Sequence, residues 1–144
     1  MLITGVANLL LQQAAITSVI AGGNALQPIP APVDQNSTDD QYPCITYQVV
    51  SDRALDRTTS NGATDTRECR IVFDCLASLN PGGYGIVQGL AQAIVTALDG
   101  YTGTLNDGTL VYTAEVVNVV DSFQNDAFLS CTAVHVMFVY RFGA

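Results

Sequence analysis

Apolar residues recur along this chain with two different spacings, and the places where the spacing changes mark its elements. At the start, Leu2, Val6, Leu9, Ile16 and Ile20 fall within a narrow arc of a helical wheel that Leu10 widens, the stripe of an amphipathic helix. Gln13 interrupts the stripe, so the pattern accommodates one helix or two shorter ones parted near residues 12–15, with Gly22-Gly23 ending whatever helix remains. Residues 24–41 follow neither spacing. They carry Pro28, Pro30 and Pro32 and a polar cluster that includes Asp34, Asp39 and Asp40, and they are expected to form an extended, exposed arm.

Period two begins after Pro43. Ile45, Tyr47 and Val49 face one way in a strand over residues 44–51. The polar stretch 52–65, with Asp52, Arg53, Asp56, Arg57 and Asp65, reads as a loop that is mobile when the subunit is alone. A second strand over 66–76 sets Cys69, Ile71, Phe73 and Cys75 on one face and Arg70, Val72 and Asp74 on the other, so one side of the sheet is wetter. Asn80-Pro81-Gly82-Gly83 introduces a helix with a wide apolar face, Ile86, Leu90, Ile94 and Leu98 beside Val87, Ala91 and Val95, closed by Gly100. A third row, Gly85, Gly89, Ala93 and Ala97, is small at every fourth position and is expected to let another backbone approach that flank.

Asn106-Asp107-Gly108 then predicts a hairpin between 101–105 and 109–112, because these residues tolerate positive φ. A long strand over 110–121, a polar turn over 122–127 and a last strand over 129–142 complete the pattern, with Val134, Val136, Phe138, Tyr140 and Phe142 on one face. The elements add up to an α+β fold, a mostly antiparallel sheet of about four to five strands with two helices packed on one face. A single domain over 1–144 with an arm at about 24–41 is expected, since 144 residues leave no room for a second catalytic domain.

Composition changes this picture in one respect. Only 12% of the residues are charged against 49% hydrophobic, so part of the surface is expected to be covered by neighbouring copies. The charges themselves are lopsided. Thirteen acidic residues stand against five arginines (Arg53, Arg57, Arg67, Arg70 and Arg141) and no lysine, a net charge of −8, which excludes binding to the outside of a DNA duplex through a basic stripe. No cation precedes Arg53 to supply the positive region of a secretory signal, and Asn8, Gln12 and Gln13 interrupt the opening apolar run, so no membrane segment is expected.

Catalytic templates fail on inventory. Cys44, Cys69, Cys75 and Cys131 form no C-x-x-C pair, and His135 is the only histidine, so no metal site of usual spacing is expected. Cys69 and Cys75 share a strand face but stand roughly 20 Å apart at ~3.3 Å per residue, too far to bond, and all four cysteines are read as buried thiols. Cys131 is about 13 Å along its strand from His135 by the same spacing, which leaves His135 a core position. No G-x-S-x-G elbow occurs, a Walker loop lacks its lysine, and after Gly83-Tyr84-Gly85 the third glycine of a dinucleotide loop is replaced by Gln88. Carboxylates such as Asp39 with Asp40, or Asp52 with Asp56, lie in polar loops where acids stay solvated. The expectation is a protein that is not an enzyme and uses no cofactor and no metal.

Several of these pieces together resemble the tail completion or tail terminator proteins of long-tailed bacteriophages. They are the apolar opening helix ending in Ala21-Gly22-Gly23, the arm leading to Tyr42-Pro43-Cys44-Ile45-Thr46-Tyr47-Gln48-Val49-Val50-Ser51-Asp52, and the Arg-bearing strand from Arg67 to Cys75. The helix exit Ala97-Leu98-Asp99-Gly100-Tyr101 and the closing Val139-Tyr140-Arg141-Phe142 complete the likeness, which spans nearly the whole chain. The arm is longer than is usual in that family, and Gly85 and Gly89 in the second helix are unexpected. The resemblance implies a virion protein, assembled in the host cytoplasm, that forms a ring, commonly hexameric, at the neck. Its partners would be sister copies, the tail tube protein and the head-side connector or stopper, with DNA only as cargo passing through the bore. A negatively charged bore would let DNA slide without sticking. Subunit contacts are expected at Asp52, Arg53, Asp56, Arg57, Asp65 and Arg67 and along the arm at Pro28, Pro30, Pro32, Asp39 and Asp40, with Arg53, Arg57 and Arg67 pairing to acids of adjacent copies. Neighbouring roles share these features: tail tube subunit, or head-side stopper or adaptor. From another class, an acidic binding or inhibitor module would stay monomeric and cluster its acids, which here are spread out.

Overall fold

The computed structural model describes residues 2–17, 26–28, 43–54, 66–78, 83–106, 108–124 and 129–141. In chain order these form α1 (Leu2–Leu11), α2 (Ala14–Thr17), β1 (Leu26–Pro28), β2 (Cys44–Ala54), β3 (Thr66–Ser78), α3 (Gly83–Leu98), β4 (Gly103–Thr104), β5 (Leu110–Gln124) and β6 (Leu129–Arg141). The strands make one six-stranded sheet in the order β1-β2-β3-β6-β5-β4, antiparallel throughout except for β1, which runs parallel to β2. The fold is therefore α+β, with one more strand than the sequence pattern predicts.

The opening stripe is broken where Gln13 breaks it. The Gln12 and Gln13 backbone N–H groups still donate to Leu9 and Leu10, and Ile16 N–H donates back to Gln13 at 3.0 Å, so the chain turns between two helices and sinks Ile16 into the core. The arm differs from expectation in part. Its residues Leu26–Pro28 are not free chain but a short strand on the edge of the sheet, in register with Ile45, Thr46 and Tyr47. A parallel partner this short carries too little hydrophobic alternation to stand out in sequence.

One face of the sheet is dry. Ile71, Phe73 and Cys75 of β3 and Val134, Val136 and Phe138 of β6 have no exposed surface, and Val87, Leu90, Ala91, Ile94 and Leu98 of α3 close over them. Burying each large aliphatic side chain here stabilises the fold by about 1.5–3 kcal/mol. Helix α3 ends on Gly100, whose φ of 77° suits a residue without Cβ; its N–H donates 2.8 Å to the carbonyl of Ala114 in β5. Gly108, at φ 88°, does the same service in the turn before β5.

β-bulges decide which residues share the dry face. The shift between Val49 and Ser51 in β2 places Asp52, opposite Cys69, on the core side and sends Ser51 and Arg53 to the other. Shifts at Val111/Thr113 and Val116/Asn118 in β5 likewise turn Ala114 and Val116 inward and Thr113 and Glu115 outward. The small-residue row of α3 meets expectation only at its far end: Ala93 and Ala97 pack against the core, whereas a Cβ on Gly85 or Gly89 would find nothing within 4 Å among the described residues.

Candidate subunit interface

Of the eleven predicted interface residues, four lie among the described residues: Asp52, Arg53, Arg67 and Pro28. Asp52, Arg53 and Arg67 lie in the sheet, because β2 runs on to Ala54 instead of stopping before Asp52. Pro28 ends β1. Asp56, Arg57, Asp65, Pro30, Pro32, Asp39 and Asp40 lie outside the described residues, as do residues 24–25, 29–41 and 55–65 of the predicted arm and loop.

Where β2, β3 and β6 end together, Asp52 gathers three donors. Tyr140 Oη donates to its Oδ2 at 2.7 Å, Arg67 Nε to its Oδ1 at 2.9 Å, and Arg67 Nη2 reaches its backbone carbonyl at 3.4 Å. The Tyr140 ring is 1% exposed, so its hydroxyl is the one polar atom that this large core side chain must satisfy. Burial first, then the hydrogen bond to and charge of Asp52, hold that hydroxyl well above its ordinary pKa. It stays a donor. Across the sheet plane, Arg53 pairs with Glu68 at 3.0 Å, with the Arg53 side chain 68% exposed. In the single subunit, then, the partners of Arg53 and Arg67 are acids of their own chain.

The face away from α3 carries a second polar group. Arg70 Nη2 lies 3.5 Å from His135 Nδ1, and Arg70 Nε is buried without a hydrogen-bond partner among the described residues. Asp74 sits nearby and accepts weakly from Cys131 Sγ at 3.9 Å; burial raises its carboxyl pKa, which the His135 charge partly offsets. His135 is thus a half-buried outward residue of β6, not the core filler its sequence neighbours suggest, because it alternates with Val134 and Val136.

A third group ties α3 to the sheet. Asp121 accepts from Gln88 Nε2 at 2.7 Å, Thr132 Oγ1 at 2.9 Å and Tyr84 Oη at 3.4 Å. Asp99, at the other end of α3, accepts from the backbone N–H of Val116 at 3.1 Å. Neither role was readable in sequence, since both depend on where α3 crosses β5.

These groups are built to hold strands and helix together. The four cysteines are free thiols, and burial raises all of them, Cys44 to about 11 and Cys69 to about 12, which keeps them protonated and poor nucleophiles. Among the described residues no cluster of three His, Cys, Asp or Glu could hold a metal ion, and no helix is long and apolar enough to cross a membrane. What the surface does offer is apolar: Val49 and Val50 on β2, and Tyr112, Val117, Val119 and Val120 on β5, are 40% exposed or more. Sequence reasoning passed over the β5 group, although Val116-Val117-Asn118-Val119-Val120, apolar at successive positions of one strand, is a legible sign of apolar residues on both faces.

Among curated proteins none matches the sequence significantly. Among solved structures, the chain resembles one described as "Virion of native gene transfer agent (GTA) particle", with a TM-score of 0.61 at 13% identity, covering 94% of this chain and 90% of that one. At that identity the likeness is one of fold. The sequence itself matches the family described as "Tail completion protein gp17" over residues 4–141. With nearly every residue inside that match, the chain belongs to the tail completion protein gp17 family and is a structural protein of the virion tail and neck.

Proposed function

We propose that the protein forms a ring at the head–tail junction, which stops polymerisation of the tail tube and joins the finished tail to the head-side connector. The match to the tail completion family along residues 4–141 carries this reading. The ring is hexameric and closed by heterologous contacts, the same two unlike patches meeting at each subunit boundary. Its further partners are the tail tube protein on one side and the connector or stopper on the other, with DNA passing through the bore. Assembly takes place in the host cytoplasm, and the ring performs no catalysis. Asp52, Arg53 and Arg67, together with Asp56, Arg57 and Asp65 of the following segment, contribute to the subunit contact, and the arm residues Pro28, Pro30, Pro32, Asp39 and Asp40 contribute beside them. Of Asp52, Arg53 and Arg67, Arg53 is the most available in the single subunit, since an exposed pair such as Arg53–Glu68 holds its arginine by only about 0–1 kcal/mol.

Native mass spectrometry and negative-stain electron microscopy of the purified chain test the proposal. Closed rings of one copy number, able to cap tubes of the tail tube protein, are the expected result. Long polymers would point instead to a tail tube subunit, and a monomer at high concentration would end the reading. Arg53→Glu and Arg57→Glu variants should sediment as smaller species; unchanged rings would remove these arginines from the contact.

A further inference from the structure

The two outer edges of the sheet are shaped as counterparts. Leu26, Gln27 and Pro28 of β1 lie in the same cross-sheet rows as Asp121, Val120 and Val119 of β5, through the chain of partners Ile45–Cys75–Thr132, Thr46–Asp74–Ala133 and Tyr47–Phe73–Val134. In these rows β1 protrudes at one side, while at the other the outer edge of β5 from Val117 onward has no strand beside it among the described residues. At the opposite end of the sheet the arrangement is reversed. Gly103 of β4 lies in one row with Val111, Tyr140, Arg67 and Ala54, so here β4 protrudes beyond β5, and β2 from Gln48 to Ala54 has no strand on its outer side among the described residues. Between β4 and the bare stretch, the exit of α3 occupies the edge of β5: Gly100 N–H meets the Ala114 carbonyl, and the Asp99 carboxylate meets the Val116 N–H.

Each edge is thus a projection and a recess, and the projection of one edge stands at the height of the other's recess. A second copy set alongside in the same sense brings its β1 into the recess below the helix exit and receives β4 of the first beside its own β2. Both rows are five strands wide, so the two contacts form at one displacement, roughly 24 Å at ~4.8 Å per strand. Strand sense agrees as well. β1 runs with β2, and β5 runs against it, so β1 of one copy meets β5 of the next antiparallel. The exposed valines collect at these recesses: Val117, Val119 and Val120 along bare β5, and Val49 and Val50 along bare β2. Such an edge is a template for another strand.

We propose that neighbouring copies of this chain join their sheets edge to edge, β1 of one copy pairing with Val119–Asp121 of the next while that copy's β4 seats beside the end of the first copy's β2. The proposal rests on the ring reading and names its contact. Pro28 donates no N–H, so Leu26 and Gln27 carry the donors of β1. The interface is heterologous, because unlike edges meet, and it can therefore close a ring or, if the rotation does not close, extend.

Cysteine cross-linking in the full chain tests it. Gln27 and Val120 occupy one row, so Gln27→Cys/Val120→Cys should give, under mild oxidant, a ladder of disulfide-linked multimers on non-reducing denaturing gels. Wild type and each single variant should give none. A dimer from Val120→Cys alone would overturn the proposal in favour of like edges meeting. Rings by native mass spectrometry without cross-linking in the double variant would overturn the edge contact and leave the ring standing. A monomeric wild type would overturn both. As a second arm, Val117→Lys/Val119→Lys alters two exposed side chains and should keep the far-ultraviolet circular dichroism of wild type while raising the concentration for half-assembly at least tenfold. Assembly at the wild-type concentration would count against the pairing.

Discussion

Replacing Tyr140 with Phe removes a single oxygen from a ring that is 1% exposed and leaves the packing volume of the core almost unchanged. What it deletes is the 2.7 Å hydrogen bond from the hydroxyl to Asp52 Oδ2. A hydrogen bond to a charged group contributes about 1.5–3 kcal/mol. Asp52 keeps Arg67 and has 34% of its side-chain surface open to water, which can replace the lost donor, so the low end, about 1.5 kcal/mol, is the expected loss. For a chain of this size that corresponds to a fall in melting temperature of roughly 3–6 °C, read by differential scanning calorimetry at one fixed protein concentration. A cycle with Asp52→Ala should recover most of that energy as coupling. The pH dependence carries a second signature. Because the folded pKa of Tyr140 is raised above its ordinary value of 10.0, stability from the protonated hydroxyl is complete below pH 10 and is lost as pH rises beyond it, since the unfolded chain gives up its proton first. The thiols, raised from 9.0, add to the same alkaline decline, so the Phe variant should lose stability less steeply above pH 10 without becoming flat. A Tyr140→Phe melting temperature within about 1 °C of wild type, or additivity with Asp52→Ala, would refute the reasoning.

Two further outcomes follow from the same structure. Asp121→Ala leaves the Thr132 hydroxyl, in a residue with no exposed surface, without its carboxylate acceptor and leaves Gln88 Nε2 its 3.3 Å bond to Thr132 Oγ1 in place of the shorter one to Asp121; a loss of about 1.5–3 kcal/mol by urea denaturation is expected, whereas a change under 0.5 kcal/mol would show that the carboxylate contributes little to holding α3. Thiol labelling of the native protein near neutral pH should be slow at Cys69, Cys75 and Cys131, with Cys44 reacting first, and denaturation without reductant should release four thiols; fewer than four would reveal a disulfide the free cysteines of the structure do not contain.

The helix of α3, the alternation of β3 and β6 and the break at Gln13 were legible in sequence because each is a local pattern whose period equals that of the element it builds. The pieces that resemble tail completion proteins, which run the length of the chain, were legible as well. Tertiary structure decided what no period records. The bulge after Val49 turns Asp52 toward Tyr140, 88 positions later in the chain, and a residue inserted into a ladder has no signature until the partner strand is in place. The strand within the arm exists only because β2 offers it an edge, and Asp121 acquires its role only where α3 crosses β5. Side-chain period and composition are properties of a segment, whereas register, edges and the neighbours of a carboxylate are properties of segments brought together.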